Sequence, residues 1–260
     1  MMQKIQKIQD FITLTLQKKG FSKVVIGASG GIDSSVVLAL LHKANVQTTA
    51  LLMPSLSSKQ EHFDDAKLLC ESFKINYKII SITPYQEVFL KDLDRSDQIY
   101  RLRVGNFCAR MRAILLYDAS LRENALVIGT SNKTELALGY GTLHGDLAWA
   151  FNPIGGLFKT QIFDLARELN LPKNIISKPP SADLWEGQSD EGDFGFSYAQ
   201  IDAFLSALFN VYPNLFELDH INEAEVLNNL KDFKEDLVKS ILKRINTNLF
   251  KHKRPDIFNA

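Results

Sequence analysis

Residues 27–35 read Gly27-Ala28-Ser29-Gly30-Gly31-Ile32-Asp33-Ser34-Ser35. The apolar β-branched run Val24, Val25, Ile26 precedes this stretch, and Val36, Val37, Leu38, Leu40 and Leu41 follow it with the apolar content of a buried helix. The stretch is therefore a strand-to-helix turn. Gly30 and Gly31 lack a Cβ and let backbone approach a ligand closely. The first-turn amides of the following helix have no intrahelical partner, which suits a pyrophosphate oxygen. Ser29, Ser34 and Ser35 add neutral hydroxyl donors. Asp33 would repel a polyphosphate unless a divalent cation lay between them, which makes it a candidate Mg2+ ligand. Residues Gly27, Ala28, Ser29, Gly30, Gly31, Ile32, Asp33 and Ser34 thus form a candidate phosphate cradle. The bland alternative is a loop whose glycines serve turn geometry and whose serine and aspartate cap the helix.

Outward from the turn, strand-like runs recur at residues 24–27, 49–53, 77–82 and 126–129, separated by segments of helical period. That alternation predicts an α/β protein built on a parallel sheet. Ser58 with Glu61 three residues later predicts a capping box ahead of a helix carrying Phe63, Ala66, Leu69 and Phe73. In open sheets of this kind ligands lie beyond the carboxyl ends of the strands, so the turn at 27–35 and the segment 129–135 should face one pocket. After residue 156 the pattern becomes helical, at 160–169, 198–209, 223–230 and 235–250.

Composition bounds the reading. The chain has 260 residues, 45% hydrophobic and 23% charged, an ordinary globular balance that predicts one domain over 1–260. Thirty basic and thirty acidic side chains cancel, which argues against a general nucleic-acid binder or a protein held on anionic lipid. Cys70 and Cys108 have no metal-ligand spacing and are read as inert thiols of a reducing compartment. With no apolar run near membrane-spanning length and no signal-peptide core at the start, a cytoplasmic location is expected.

Other segments carry chemistry with alternatives. Residues 97–123 predict one long helix on which Arg103, Asn106, Arg110 and Tyr117 share a stripe, either a solvated face or an anion-binding one. In GTSNKTE, from Gly129, Thr130 could bind nucleotide; Asn132 and Glu135 read equally as a helix cap or, for Glu135, as a second oxygen for the cation at Asp33. Residues 179–198 hold Asp183, Glu186, Asp190, Glu191 and Asp193 among glycines and read as a mobile loop, a connector or an active-site lid. Lys251, His252, Lys253 and Arg254 are either a helix end or a holder of anionic substrate.

The spacing GxxxxGK[ST] of a Walker loop is absent. The pattern SGGIDSS resembles the ATP pyrophosphatase, or PP-loop, enzymes, which split ATP between its α and β phosphates. SGGIDSS, NFCARMR from Asn106, GTSNKTE, and PSADLWEGQSDE from Pro180 together resemble the ammonia-dependent NAD synthetase family over nearly the whole chain. The resemblance implies a doubly wound parallel sheet, Rossmann-like and of the adenine nucleotide alpha hydrolase type, with added C-terminal helices. It implies a C–N ligase: ATP adenylates deamido-NAD, free ammonia displaces AMP, and pyrophosphate leaves. At 260 residues the resemblance implies the form without the family's N-terminal glutaminase-type domain, so free ammonia is the expected nitrogen source. The resemblance further implies a homodimer with deamido-NAD near the interface and Mg2+ bridging Asp33 and Glu135. It places Thr130, Lys159 and Ser181 on ATP, and Arg110, His252 and Lys253 on deamido-NAD. Only the resemblance selects Lys159. Where some relatives carry lysine and aspartate, this chain has Leu143 and Ala150. Rival readings are a PP-loop enzyme acting on another carbonyl, such as a tRNA-modifying or amidotransferase relative, and a nucleotide-sensing module without chemistry.

Overall fold

The computed structural model describes residues 2–181 and 187–258. Asp183 and Glu186 of the acidic segment lie outside the described residues. In chain order the elements are α1 (Met2–Lys19), β1 (Lys23–Gly27), α2 (Ile32–Lys43), β2 (Gln47–Leu52), α3 (Gln60–Ser72), β3 (Asn76–Ile79), α4 (Thr83–Leu90) and α5 (Tyr100–Glu123). There follow β4 (Leu126–Val127), α6 (Lys133–Leu138), α7 (Lys159–Glu168), α8 (Lys173–Ser177), α9 (Asp190–Phe194), α10 (Tyr198–Val211), α11 (Glu223–Asn229) and α12 (Glu235–Asn248).

The strands form a parallel sheet in the order β3-β2-β1-β4. The expected α/β architecture with C-terminal helices is present. The chain runs outward through β2 and β3 on one side of β1, then crosses to place β4 on the other. The strand order therefore reverses between β1 and β4, where such sheets bind ligands. Apolar side chains line both faces, as a buried parallel sheet requires. Ile26 packs with Ile12, Leu40 and Ile162 on one face, while Val25 and Leu51 pack with Val104, Cys108 and Ala119 of α5 on the other. A further apolar cluster joins α6, α10, α11 and α12 around Phe204, Leu205 and Ile241.

Some local expectations change. The Ser58–Glu61 capping box does not form: α3 begins at Gln60, which puts Glu61 one position too early. Ser58 Oγ instead accepts the Ser55 amide at 2.9 Å, and Glu61 pairs with Lys178 at 3.3 Å. The described part of the acidic segment is not all irregular. Ser189 caps the short helix α9, and Phe194 at its end is buried edge-on against Tyr140 and Tyr198. The long helix begins at Tyr100, because Asp97 takes the Ile99 amide and the Arg103 guanidinium just before it.

Both cysteines are free and buried. Burial and then the charge of Glu71 push the Cys70 thiol up to about 11, and burial raises Cys108, so neither is a reactive thiolate. Among the described residues no helix is long and apolar enough to cross a membrane.

Candidate active site

The turn after β1 is shaped by its glycines and opens on the first turn of α2. Gly30 adopts φ +79°, and a Cβ on it would collide with the His62 carbonyl. Glycine is therefore required here for both backbone sign and space. Gly31 is the N-cap of α2 in extended conformation, and no side chain caps the helix. The serines bond within the turn instead: Ser34 Oγ and Ser35 Oγ donate to the Gly31 carbonyl at 3.0 and 2.8 Å, and Ser29 Oγ accepts the Gly31 amide at 3.2 Å. The reading of these residues as mere helix caps is thereby set aside for α2, and its first turn lines a cavity of about 860 Å3. That volume lies within the range of small-molecule sites.

GTSNKTE enters the same cavity from the end of β4. The helix-cap reading holds on one carboxylate oxygen of Glu135, and the other oxygen faces a charged side chain. Asn132 caps α6 by accepting the Glu135 amide at 2.9 Å, and Glu135 Oε2 accepts the Asn132 amide at 3.2 Å. Glu135 Oε1 faces Lys159 Nζ at 3.3 Å. Asp33 receives the Asn132 amide group on Oδ1 at 2.9 Å and Lys159 Nζ on Oδ2 at 2.5 Å. The Lys159 side chain is 3% exposed, those of Asp33 and Glu135 16% each.

Charge in this cluster is unbalanced. Burial, and then the neighbouring Asp33 carboxylate, push the Glu135 carboxyl above its ordinary range, against the pull of Lys159. Burial by itself would lower the Lys159 ammonium, but Asp33 and Glu135 outweigh it and hold it above the usual lysine range. Asp190, 3% exposed, also acts on this cluster, and burial raises its carboxyl as well. Tyr140 donates to Asp190 Oδ1 at 3.1 Å and Tyr198 to Oδ2 at 2.7 Å. One ammonium thus faces several acidic groups in a cavity, an arrangement that suits a further cation.

Gly27, Ala28, Ser29, Gly31, Ile32, Asp33, Ser34, Thr130, Glu135, Lys159 and Ser181 all line this cavity. Gly30 shapes the turn from behind. Arg110 lies in an adjoining groove of about 340 Å3, shared with Arg103 and with Asn106, which also lines the cavity, and donates to the Leu143 carbonyl at 3.2 Å. The basic cluster at 251–253 is divided. Lys251 reaches the cavity and donates to the carbonyls of Gly139 and Gly141 at 2.8 and 2.9 Å. His252 bonds the Leu136 carbonyl at 2.9 Å and packs on Phe216, while Lys253 pairs with Asp219. Sequence reading missed Thr134, Tyr140 and Asp202. A signal for Asp202 existed: it stands in the stripe Tyr198, Ile201, Leu205, Leu208, where every other buried neighbour is apolar or aromatic.

The profile of the NAD synthase family matches residues 4–255. The chain belongs to the NAD synthase family. Within it, the NH(3)-dependent NAD(+) synthetase of Helicobacter hepaticus is 48% identical, over 95% of this chain and 94% of that protein. The protein of the same name from Helicobacter pylori strain P12 is 50% identical, over 95% and 92%. Among solved structures, an NH3-dependent NAD synthetase from Campylobacter jejuni, in complex with the nitrate ion, superposes with TM-score 0.80 at 38% identity, covering 99% of this chain and 98% of that one. An NMN synthetase from Francisella tularensis superposes with TM-score 0.83 at 32% identity, with the same coverage. This NAD synthase family member therefore shares the fold of those solved structures over nearly its whole length.

Proposed function

We propose that the chain, read as one catalytic unit, amidates deamido-NAD with free ammonia at the expense of ATP, through an NAD-adenylate, releasing AMP and pyrophosphate. The observation that carries this reading is the convergence of Asp33, Glu135 and Lys159 beside an uncapped helix N-terminus at the reversal of the sheet. A carboxylate resists ammonia because its charge is delocalised and its leaving group is poor. Adenylation removes both obstacles. Residues 27–34 would hold the phosphates, with Thr130 and Ser181 on ATP and Lys159 offsetting charge as pyrophosphate departs. Much of the acceleration would come from holding two nucleotides in register.

Among the described residues no group of three or more His, Cys, Asp or Glu could hold a metal by itself. Two carboxylates lining a cavity of small-molecule size nevertheless fit Mg2+, which commonly takes one or two carboxylates and completes its shell from phosphate and water. Asp33 and Glu135 would be its protein ligands. When bound, Mg2+ supplies charge neutralisation at the phosphate oxygens.

Arg110, His252 and Lys253 are assigned to deamido-NAD. None of the three lines the cavity, and a homodimer would bring a second copy's groups to the site. The exposed Leu102, Ile114, Tyr117 and Leu121 along α5, with Tyr85 and Val88 on α4, support the same reading. Two buried free thiols accord with a cytoplasmic enzyme.

The decisive assay incubates the protein with ATP, Mg2+, deamido-NAD and ammonium and follows AMP and NAD. Accumulation of ADP, or AMP without NAD, overturns the proposal. Because of the structural likeness to the Francisella tularensis protein, a second arm offers the corresponding mononucleotide acid. Faster turnover in that arm would move the substrate assignment to the mononucleotide.

A further inference from the structure

Glu135 and Lys159 project from the first turns of different helices, α6 and α7, and something must fix the height of one against the other. The contact comes from α10, which carries none of the motifs. Asp202, 5% exposed, accepts the Thr134 hydroxyl on Oδ1 at 2.5 Å and the Thr160 amide on Oδ2 at 2.8 Å. Thr134 Oγ1 in turn accepts the Lys159 amide at 2.9 Å. Thr134 is fully buried and adjoins Glu135 in sequence.

The first amides of α7 lack intrahelical partners, and these two are satisfied by Thr134 and Asp202 rather than by a cap within α7. The carboxylate also sits at the positive end of the α7 dipole. One turn earlier on α10, the ring of Tyr198 lies 5.4 Å from the Lys159 ammonium, and its hydroxyl holds Asp190. A buried aspartate on an otherwise apolar stripe is costly unless fully hydrogen-bonded, and here its bonds all run to the two helices that bear the charged cluster.

We propose that Asp202, acting through Thr134, is a positioning residue of the amidation reaction: it sets the separation between the Glu135 carboxylate and the Lys159 ammonium, and thereby turnover. The inference rests on the function proposed above. Its test uses Thr134→Val, which keeps the shape and removes the hydroxyl, Thr134→Ser, which restores it, and Asp202→Asn, all measured beside the unaltered protein with ATP, Mg2+, deamido-NAD and ammonium.

In Thr134→Val, kcat falls about 100-fold while KM for deamido-NAD stays within about twofold, because misplacement by a fraction of an ångström acts on the transition state. Thr134→Ser recovers most of the loss. Combining Thr134→Val with Asp202→Asn costs no more than the worse single change, since both cut one chain of hydrogen bonds. A folded Thr134→Val protein with kcat within about threefold of the original, or losses that multiply in the double variant, overturns the proposal. Amide hydrogen exchange supplies a readout without turnover: the amides of residues 159 and 160 exchange faster in Thr134→Val, and unchanged exchange there also overturns it. An unaltered protein that makes no NAD sinks the functional reading instead, while the exchange measurement still decides whether the clamp exists.

Discussion

Lys159 Nζ stands 2.5 Å from Asp33 Oδ2 across 126 residues of sequence. The contact joins the start of α7 to the first turn of α2, and Glu135 closes the group at 3.3 Å from the same ammonium. The site is thus a shared lysine between two carboxylates, and its behaviour follows from that sharing.

Removing the lysine leaves two half-buried carboxylates without their ammonium. Lys159→Met should lower stability by about 3 kcal/mol or more at neutral pH, as for other broken buried pairs. The loss has a sign in pH. With Lys159 gone, burial and Asp33 push Glu135 up unopposed, and a carboxyl raised when folded contributes stability below its ordinary value of 4.5 that is lost as pH rises through the folded value. The melting-temperature gap between the original protein and Lys159→Met should therefore widen from pH 5 to pH 9. A constant gap would refute the charge argument.

Glu135→Gln separates the two duties of this side chain. Glutamine also completes a capping box, so stability should change by about 1 kcal/mol or less. Turnover should fall by about 100-fold or more, because glutamine cannot supply the carboxylate assigned to Mg2+. The Mg2+ concentration needed for half-maximal rate should rise in Glu135→Gln and in Asp33→Asn. Unaltered magnesium dependence in both variants would defeat their assignment as metal ligands.

The turn itself makes a third prediction. Gly30→Ala forces a side chain into left-handed backbone against the His62 carbonyl. It should cost about 1–3 kcal/mol, and more if the turn cannot shift. ATP affinity should weaken with it, measurable by calorimetry. Wild-type stability and affinity in this variant would show that the turn tolerates a Cβ.

His252 predicts the acid side of the stability profile. Burial lowers its imidazole below the ordinary 6.5, against the Leu136 carbonyl that favours the charged form. A base depressed when folded contributes stability that is complete above its unfolded value and lost as pH falls through the folded one. Chemical denaturation between pH 7 and pH 5 should therefore show a loss of stability that is smaller in His252→Gln. Equal losses in both proteins would remove His252 as a source.

The legible parts of this protein were those written in neighbouring residues. The apolar runs gave strands in the right places, although β3 ends at Ile79 within the run at 77–82, and β4 is shorter than the run at 126–129, where the Gly129 amide bonds the Phe151 carbonyl. The glycine-rich turn and the Asn132–Glu135 cap were readable because caps and turns are built from side chains a few positions apart. Lys159 was not readable from its surroundings, being one lysine at a helix start. Resemblance to a family singled it out, and only packing gives the physical reason. The Ser58–Glu61 box was misread because one residue of helix register moves a cap out of reach.

Sequence alone determined the alternation of strand and helix and the glycine-rich turn at 27–35, because periodicity and turn chemistry act over a few residues, and its ordered motifs carried the resemblance to NAD synthases. Tertiary structure decided which distant groups meet. The strand order set the ends of β1 and β4 side by side, and α10 brought Asp202 onto the helices bearing Glu135 and Lys159. It also parted His252 and Lys253 from Lys251, because neighbours on a tightly wound chain end face different directions, and each found its own partner.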